Sequence, residues 1–409
     1  VRNLKGMIGL LGFGLSLLSG KVEAQNASDF AIRVVDFANL GSGIYGDPNA
    51  VLGKPTTWIK ELGNADPVAC SLVYGAWNVA PDGSKLITTL GNGQQTGRII
   101  VEFEPPITAN ANHWYGKDFL VFGNAFFSAN AVMTATSNLN TVRIVSPNVF
   151  SDPVTISVSP DGVQWYSYSS PVADSYFPTQ AYHWNTALAA FDNEQNWTKP
   201  VPPTVTPAMF SNQTVGNTIE LYDGSAGGTA FSLVESGFAS IRYIKAESRG
   251  GEVDGFARIG FSTTQISGHI FLQGLAENAL PQPVNFVFID DFGDSFTRSA
   301  NVGNQGEFSL LNIPRQAYTV RIKGDKWLAK IVQIAPATTE FLALNTELLA
   351  GDATNDNAVD ITDLLLLIAH YNQTQDVGDY LDSADFNTDG TNDITDLLLL
   401  ISNYNVVGE

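Results

Sequence analysis

The chain has 409 residues, 44% of them hydrophobic and only 15% charged, with a net charge of −20. That length accommodates two or three domains, and the acidic balance excludes a nucleic-acid role built on basic patches. Few charges, 37 Gly and 11% aromatic residues predict a mainly β chain with many turns.

In chain order, residues 1–24 read as a secretory signal peptide. Arg2 and Lys5 precede a short apolar run from Met7 to Leu18, and Val22-Glu23-Ala24 offers a cleavage site. The run is too short to span a bilayer, and no later segment is apolar enough. The mature chain is therefore expected to be secreted, extracellular or at a cell surface. Cys70 is alone, so no internal disulfide forms. Its strand-like surroundings predict a buried structural thiol.

Residues 25–264 are predicted to form one large β-sandwich of jelly-roll type. Alternating or apolar runs place strands at Ala31–Phe37, Lys85–Leu90, Arg98–Phe103, Asp118–Phe122, Val154–Val158, Thr218–Leu221, Ser240–Ala246 and Gly255–Phe261. Ser159-Pro-Asp-Gly162 reads as a tight hairpin. Pro171–Val215 reads as an insertion whose Tyr182, Trp184 and Trp197 either pin it to the sandwich or stack on sugar rings. The stretches Asp118-Phe-Leu-Val-Phe-Gly-Asn-Ala-Phe126, Val158-Ser-Pro-Asp-Gly-Val-Gln-Trp165, Gly227-Gly-Thr-Ala-Phe-Ser-Leu233, Arg242-Tyr-Ile-Lys245 and Glu252-Val-Asp-Gly255 resemble a family of uncharacterised bacterial secreted or surface sandwich proteins. The resemblance implies no established activity.

Residues 265–348 are predicted as a smaller sandwich. Its strands are expected at Ser267–Leu272, Val284–Ile289, Glu307–Leu311, Ala317–Lys323, Lys330–Ile334 and Thr339–Leu344. Asn304-Gln-Gly-Glu-Phe-Ser-Leu-Leu-Asn-Ile-Pro314 followed by Ala317-Tyr-Thr-Val-Arg-Ile322 resembles the transthyretin-like spacer repeats of secreted proteins. That resemblance implies a turn at Gly306, with Phe308 and Tyr318 in the core.

Residues 349–409 carry a duplication. Asp352-Ala-Thr-Asn-Asp-Asn-Ala-Val-Asp-Ile-Thr-Asp363 recurs 33 positions later as Asp385-Phe-Asn-Thr-Asp-Gly-Thr-Asn-Asp-Ile-Thr-Asp396, and Leu-Leu-Leu-Leu-Ile follows each copy. Oxygen-bearing side chains stand at loop positions 1, 3, 5, 9 and 12, the spacing that wraps Ca²⁺. The expected ligands of the first loop are Asp352, Thr354, Asp356, the Ala358 carbonyl, Asp360 and Asp363. Those of the second are Asp385, Asn387, Asp389, the Thr391 carbonyl, Asp393 and Asp396. Gly390 suits the sharp turn at position 6, where the first loop has Asn357. With Thr354 a neutral hydroxyl, two Ca²⁺ sites are expected, the second stronger. From Gly351 onward there are twelve Asp or Glu and no Lys or Arg, a charge block that resists compaction without cations. Asp360-x-x-Asp363 and Asp393-x-x-Asp396 also read as helix capping boxes. Both readings hold if a helix leaves each loop.

This segment resembles a type I dockerin, through Gly351-Asp352, Ala384-Asp385-Phe-Asn-Thr-Asp-Gly390, the Leu runs, Tyr371-Asn372 and Tyr404-Asn405. The resemblance implies a small α-helical domain and a cohesin partner. It also implies partner recognition by Ile361, Thr362, Ile394 and Thr395, identical pairs that allow two docking orientations. Ile361 and Ile394 fit a closed core equally well.

No catalytic residue is predicted. The His-Glu-x-x-His, Gly-x-Ser-x-Gly and phosphate-loop patterns are absent from the sequence. A glycosidase needs only two carboxylates, which spacing does not reveal. Asp118, Glu220, Asp223, Glu235, Glu247, Glu252 and Asp254 are the candidates, and Glu252-Val-Asp254 also suits a cation. The expected function is a secreted, non-catalytic surface or extracellular-complex protein that docks to a cohesin and presents a sandwich, with a glycan as its candidate ligand. The alternatives are a polysaccharide-degrading enzyme and a structural surface-layer component.

Overall fold

The computed structural model describes residues 26–60, 66–76, 87–291, 293–337, 339–376 and 378–409. The expected signal peptide lies outside the described residues, as do Lys85 and Leu86 of one predicted strand. Two compact units emerge. The first takes the described residues up to Ile107 and Phe119–Arg258; the second takes Thr108–Asp118 and Ile259–Glu409.

In the first unit, a five-stranded sheet runs in the order Arg33–Ala38, Gly97–Thr108, Ser240–Ser248, Thr155–Ser159, Tyr166–Ser167. Alternation sends Ile99, Val101 and Phe103 inward from one strand, and Ile244 and Ala246 from its neighbour, where Ile241 is also buried after a break in the pattern. A three-stranded sheet is ordered Thr229–Phe231, Phe119–Phe122, Gly255–Arg258. Phe119 stacks on Phe231 at 5.0 Å and meets Tyr168 of the larger sheet's edge at 6.1 Å. All of Phe119–Phe122 is buried, so this strand is covered on both faces. The insertion supplies part of that cover through Trp197, whose ring lies 5.4 Å from Phe122.

Trp184 and Trp197 are buried. Each indole donates inward, Trp184 to Asn140 Oδ1 at 2.9 Å and Trp197 to Glu194 Oε1 at 2.6 Å. They pin the insertion rather than present it. Cys70 is buried as expected, and burial followed by the Asp254 charge pushes its thiol well above the usual range. The hairpin after Ser159 forms, with Asp161 Oδ1 accepting from Val163 N and Gln164 N, each at 2.8 Å.

One predicted strand is corrected. Thr218–Leu221 belongs to helix α1, Val215–Leu221. Thr214 caps it by accepting from Asn217 N at 3.2 Å, and Val215, Thr218 and Ile219 fall on one buried face. The local β-branched run looks like a strand; the cap and the tertiary burial decide for helix.

In the second unit, a three-stranded sheet is ordered Glu307–Pro314, Thr263–Leu272, Phe341–Leu348, the last pair parallel. A four-stranded sheet is ordered Ser295–Val302, Gln282–Ile289, Tyr318–Gly324, Trp327–Ile334. Ser295–Val302 escapes the sequence reading because it is an edge strand of Ser, Thr, Arg and Asn with only Val302 buried. Phe308 and Tyr318 enter the core as expected, Phe308 5.1 Å from Phe286 and Tyr318 5.3 Å from Phe288. Helices α2, Ile361–Ala369, and α3, Ile394–Ser402, follow. The core does not stop at Leu348. One buried cluster runs from Ile266 through Trp327 to Val359, Leu367, Phe386 and Leu400. No helix of the described residues is long and apolar enough to cross a membrane.

His183 of the insertion hairpin gives a pH test. Its Nδ1 lies 2.8 Å from Asp192 Oδ1 and its Nε2 3.1 Å from Glu220 Oε1. Burial opposes the imidazolium, but hydrogen bonds and charge from Asp192 and then Glu220 outweigh it and raise the pKa above 6.5. A raised folded pKa stabilises fully below the unfolded value and is lost as pH rises through the folded one. NMR titration is expected to place His183 above 6.5, with His183→Gln flattening the loss of first-unit stability above that pH. A midpoint below 6.5 would sink the assignment.

Candidate functional site

Both duplicated loops fold the same way. In the second, Asp385 is buried. Its Oδ1 accepts from Asp389 N at 3.2 Å, and its Oδ2 from Gly390 N at 2.9 Å and from the Tyr380 hydroxyl at 2.7 Å. Asp396, also buried, accepts at Oδ1 from Phe386 N at 2.7 Å and at Oδ2 from Asp393 N at 2.9 Å. Asn387 and Asp389 join through Nδ2 and Oδ2 at 2.8 Å, and Asp389 Oδ1 accepts from Thr391 N at 2.9 Å. The first loop repeats the pattern. Asp352 Oδ1 and Oδ2 accept from Asp356 N and Asn357 N at 3.0 and 3.1 Å. Asp363 accepts from Thr354 N at 2.9 Å and Asp360 N at 2.8 Å, and Asp356 Oδ1 accepts from Ala358 N at 3.0 Å. Position 6 is left-handed in both, with φ 72° at Asn357 and 89° at Gly390, so Asn serves where Gly is easiest.

Each loop ends as a helix begins. Asp360 and Asp393 are N-caps, accepting from Thr362 N and Thr395 N, with Asp363 and Asp396 completing capping boxes. The cap and the loop are one construction, as both sequence readings require.

Four carboxylates, Asp352, Asp363, Asp385 and Asp396, are thus fully buried. Burial pushes the Asp396 carboxyl up to about 6 despite its backbone donors. Burial likewise raises Asp352, against the pull of Lys323. Buried carboxylates are retained where a cation or a dense set of donors answers them. The donor set is all hard oxygen, in an order suited to a cation of the Ca²⁺ type, so the residues fit such an ion. Among the described residues, no three or more His, Cys, Asp and Glu side chains are drawn close enough to hold a metal by themselves. Amide and backbone carbonyl oxygens would have to share the work.

Sequence reasoning missed two lysines, because both come from the preceding sandwich. Lys323 Nζ donates to Asp352 Oδ2 at 2.8 Å and to Asn355 Oδ1 at 2.7 Å. Lys326, itself buried, donates to the Asp385 carbonyl at 2.9 Å and pairs with Asp382 at 3.1 Å. The first loop therefore holds an ammonium on its position-1 carboxylate. The second meets its lysine only at a main-chain oxygen and at Asp382 outside the ligand set. Further ties follow. Gln273 Oε1 accepts from Ala350 N at 3.0 Å and Asn403 Nδ2 at 2.6 Å, and Trp327 Nε1 donates to the Gln273 carbonyl at 3.0 Å. Gly274 lets the backbone approach Leu399, since a Cβ there would stand 2.4 Å from its Cδ1.

The helices leave an apolar stripe outside. Ile361, Leu365 and Ile368 on α2 are exposed, and so are Ile394, Leu398 and Ile401 on α3. Only Leu367 and Leu400 of the Leu runs are fully buried. Ile361 and Ile394 thus do not close the core. The other four residues extend the stripe at the i+4 and i+7 spacing of one helix face, a signal present in the sequence but hidden in uniform Leu runs.

The carboxylates considered for catalysis are scattered. His113 Nδ1 lies 2.9 Å from Asp118, Glu220 meets His183, Lys199 lies 2.8 Å from Asp223, and Lys245 lies 2.8 Å from Glu247. Glu235 lies in the first turn of a short 3-10 helix, Leu233–Ser236, which Ser232 caps. Glu252 and Asp254 lie within the first unit, Asp254 buried and Glu252 partly so.

Residues 350–405 match the family model of the dockerin type I domain. The C-terminal segment is a dockerin-like domain. No curated protein matches the chain. Among solved structures, a cohesin–X–dockerin complex of Acetivibrio cellulolyticus is similar at 22% identity over 36% of this chain and 97% of that one, with a TM-score of 0.31. The group B streptococcus pilus 2b backbone protein is similar at 8% identity over 64% and 97%, with a TM-score of 0.18. A DUF3823 family protein of Bacteroides ovatus is similar at 12% over 22% and 46%, with a TM-score of 0.17.

Lys323→Met tests the ammonium. Removing it leaves Asp352 buried with its strongest partner gone, a change worth about 3 kcal/mol in buried pairs. Urea unfolding in chelator is expected to show a second-unit loss of that order, while Lys330→Met, at an exposed pair, costs under about 1 kcal/mol. Equal effects from the two would refute the role given to Lys323.

Proposed function

We propose that this chain is a secreted surface or extracellular-complex protein that docks to a cohesin-type partner through its dockerin-like domain. The observation that carries the reading is the duplicated exposed stripe, Ile361, Leu365 and Ile368 with Ile394, Leu398 and Ile401, on helices whose starts are set by the two loops. Six apolar residues left in water on two short helices are unusual for a surface without a partner. Thr362 and Thr395 flank them at the helix starts. The repeat supports binding in either of two orientations, one helix dominating each.

Ca²⁺ would be held by Asp352, Thr354, Asp356, the Ala358 carbonyl, Asp360 and Asp363 in the first loop. In the second it would be held by Asp385, Asn387, Asp389, the Thr391 carbonyl, Asp393 and Asp396. Bound there, it supplies positive charge that fixes the loop and so the start and aim of each helix. Lys323 already answers part of the first loop's charge, and Thr354 adds none, so the second site is the stronger. Because the dockerin-like domain shares its core with the adjoining sandwich, that sandwich serves as the platform of the docking face as well as a transthyretin-like spacer.

The first unit, read as a jelly-roll-type sandwich, is the presented module. Its carbohydrate reading no longer rests on Trp184 and Trp197. A cleft of about 200 Å³ is lined by Trp58, Met133, Thr134, Ser137 and Phe191, and Trp58 is exposed beside Tyr182 at 5.1 Å. An aromatic wall with hydroxyls opposite suits a sugar ring. Glycan-array binding that is lost in Trp58→Ala supports this; binding unchanged by it opposes it.

Calorimetric titration with a type I cohesin is expected to show Ca²⁺-dependent binding abolished by EDTA. Ile361→Ala with Leu365→Ala, or Ile394→Ala with Leu398→Ala, should each weaken binding less than about tenfold, because the other helix remains. All four together should weaken it more than about a hundredfold, at roughly 1–2 kcal/mol per apolar anchor. Full-strength binding by the fourfold variant would defeat the docking reading. Chelator is also expected to lower the calorimetric transition of the second unit as a whole, sandwich included. An independent sandwich transition unmoved by EDTA would show that the shared core does not couple them.

A further inference from the structure

The first unit contains a second group of carboxylates, with Asp174 and Asp254 buried, Glu252 half-buried and Asp152 exposed, and nothing in the dockerin-like domain explains it. Ala173 bridges to Val154, with mutual amide–carbonyl bonds of 2.9 and 3.1 Å, which brings Asp174 beside Asp152. Gly123 lies against the Asp174 carboxyl so closely that a Cβ there would stand 2.3 Å from Oδ1. The next link is Asp254, whose amide donates to the Phe122 carbonyl at 2.8 Å. Glu252 precedes it on a short strand paired with Thr88–Thr89. Gly251 would meet Asp152 O at 2.4 Å if it carried a Cβ. Backbone contacts therefore bring acidic residues of three separated segments into one neighbourhood, although no three of their side chains are drawn close enough to hold a metal by themselves.

Their hydrogen bonds do not close. Asp174 is 3% exposed. Its Oδ1 accepts from Ala125 N at 2.7 Å, and the amides of Asp152 and Asn124 also face the carboxyl. Its Oδ2 has no partner, and neither does the buried Glu252 Oε2. Thr89 Oγ1 reaches Glu252 Oε1 only at 3.4 Å. Asp254 is better served, by Thr56 Oγ1 at 2.7 Å and Thr56 N at 3.1 Å. Burial first, then mutual repulsion, drives Asp174, Glu252 and Asp254 each up to about 7. Among the described residues none of the leading influences on these three carboxyls is a basic side chain. Asp174 also borders a small half-open recess of about 10 Å³ with Gly123, Ala125, Thr179 and Gly228, a recess that Glu252 does not line.

Buried carboxylate oxygens without a partner are expected to be paired, protonated or bound to metal. We propose that Asp174 and Glu252, with Asp152 and Asp254 adding negative field, hold a Ca²⁺ ion within the first unit. Two carboxylates do not complete the shell of a hard cation; backbone carbonyls and water supply the rest. The site pins the segment after Ala173, and with it the insertion, to the strand ends at Phe122 and Val253. It does not depend on the dockerin-like loops.

Equilibrium dialysis of the full chain against Ca²⁺ tests this. A chain carrying Asp352→Asn, Asp363→Asn, Asp385→Asn and Asp396→Asn is expected to keep one bound ion. Adding Asp174→Asn should remove it, and adding Glu252→Gln instead should weaken it at least tenfold. Glu252 is partly exposed, so its variant reports even where Asp174→Asn fails to fold. Ca²⁺ should also raise the melting of the first unit in the loop-disabled chain. No ion retained by that chain, or an ion unaffected by Glu252→Gln, would overturn the proposal and leave a proton-sharing acid cluster. Loss of cohesin binding by the same chain would bear only on the docking reading.

Discussion

Carboxylate charge gathered out of reach of water is the constraint around which both units are arranged. A buried carboxylate is costly unless charge or several donors oppose it. In the dockerin-like domain the opposition comes from loop amides aimed at Asp352, Asp363, Asp385 and Asp396, and from Lys323 at the first loop. The helices begin where those carboxylates are fixed. Hence the outward aim of Ile361 and Ile394 is a consequence of loop electrostatics as much as of helix periodicity.

The same constraint explains why the sandwich and the dockerin-like domain form one unit. Two nine-residue helices bury too little by themselves, each contributing one fully buried Leu. Small domains lacking core need staples or partners. Here Lys326 and Gln273 of the sandwich bond Asp385 and Ala350, and Trp327 joins the shared core. The exposed apolar stripe of α2 and α3 is thus carried on a larger body with which it shares a core.

Much of the dockerin-like domain was legible because its chemistry is local. Position-specific oxygens, a turn at position 6 and a capping aspartate all act within twelve residues, and a repeat at a shift of 33 tests each against the other. Most strands were legible for a similar reason, since alternation is local. Thr218–Leu221 was misread because its helix is held by the Thr214 cap and by burial, neither of which the β-branched run reveals. Ser295–Val302 was missed because an edge strand buries little, so its pattern is weak.

The sequence by itself determined the fold class, the duplicated loops, the helix starts and the inward turn of Phe308 and Tyr318. Each depends on interactions spanning a dozen residues or fewer, or on the period of one strand. Only the tertiary structure decided that Trp184 and Trp197 are core, that Lys323 sits on Asp352, and that Asp152, Asp174, Glu252 and Asp254 share one neighbourhood. Lys323 and Asp352 are 29 positions apart, and Glu252 is 78 from Asp174 and 100 from Asp152. No local pattern encodes which distant strand ends meet, because that is set by the packing of whole sheets.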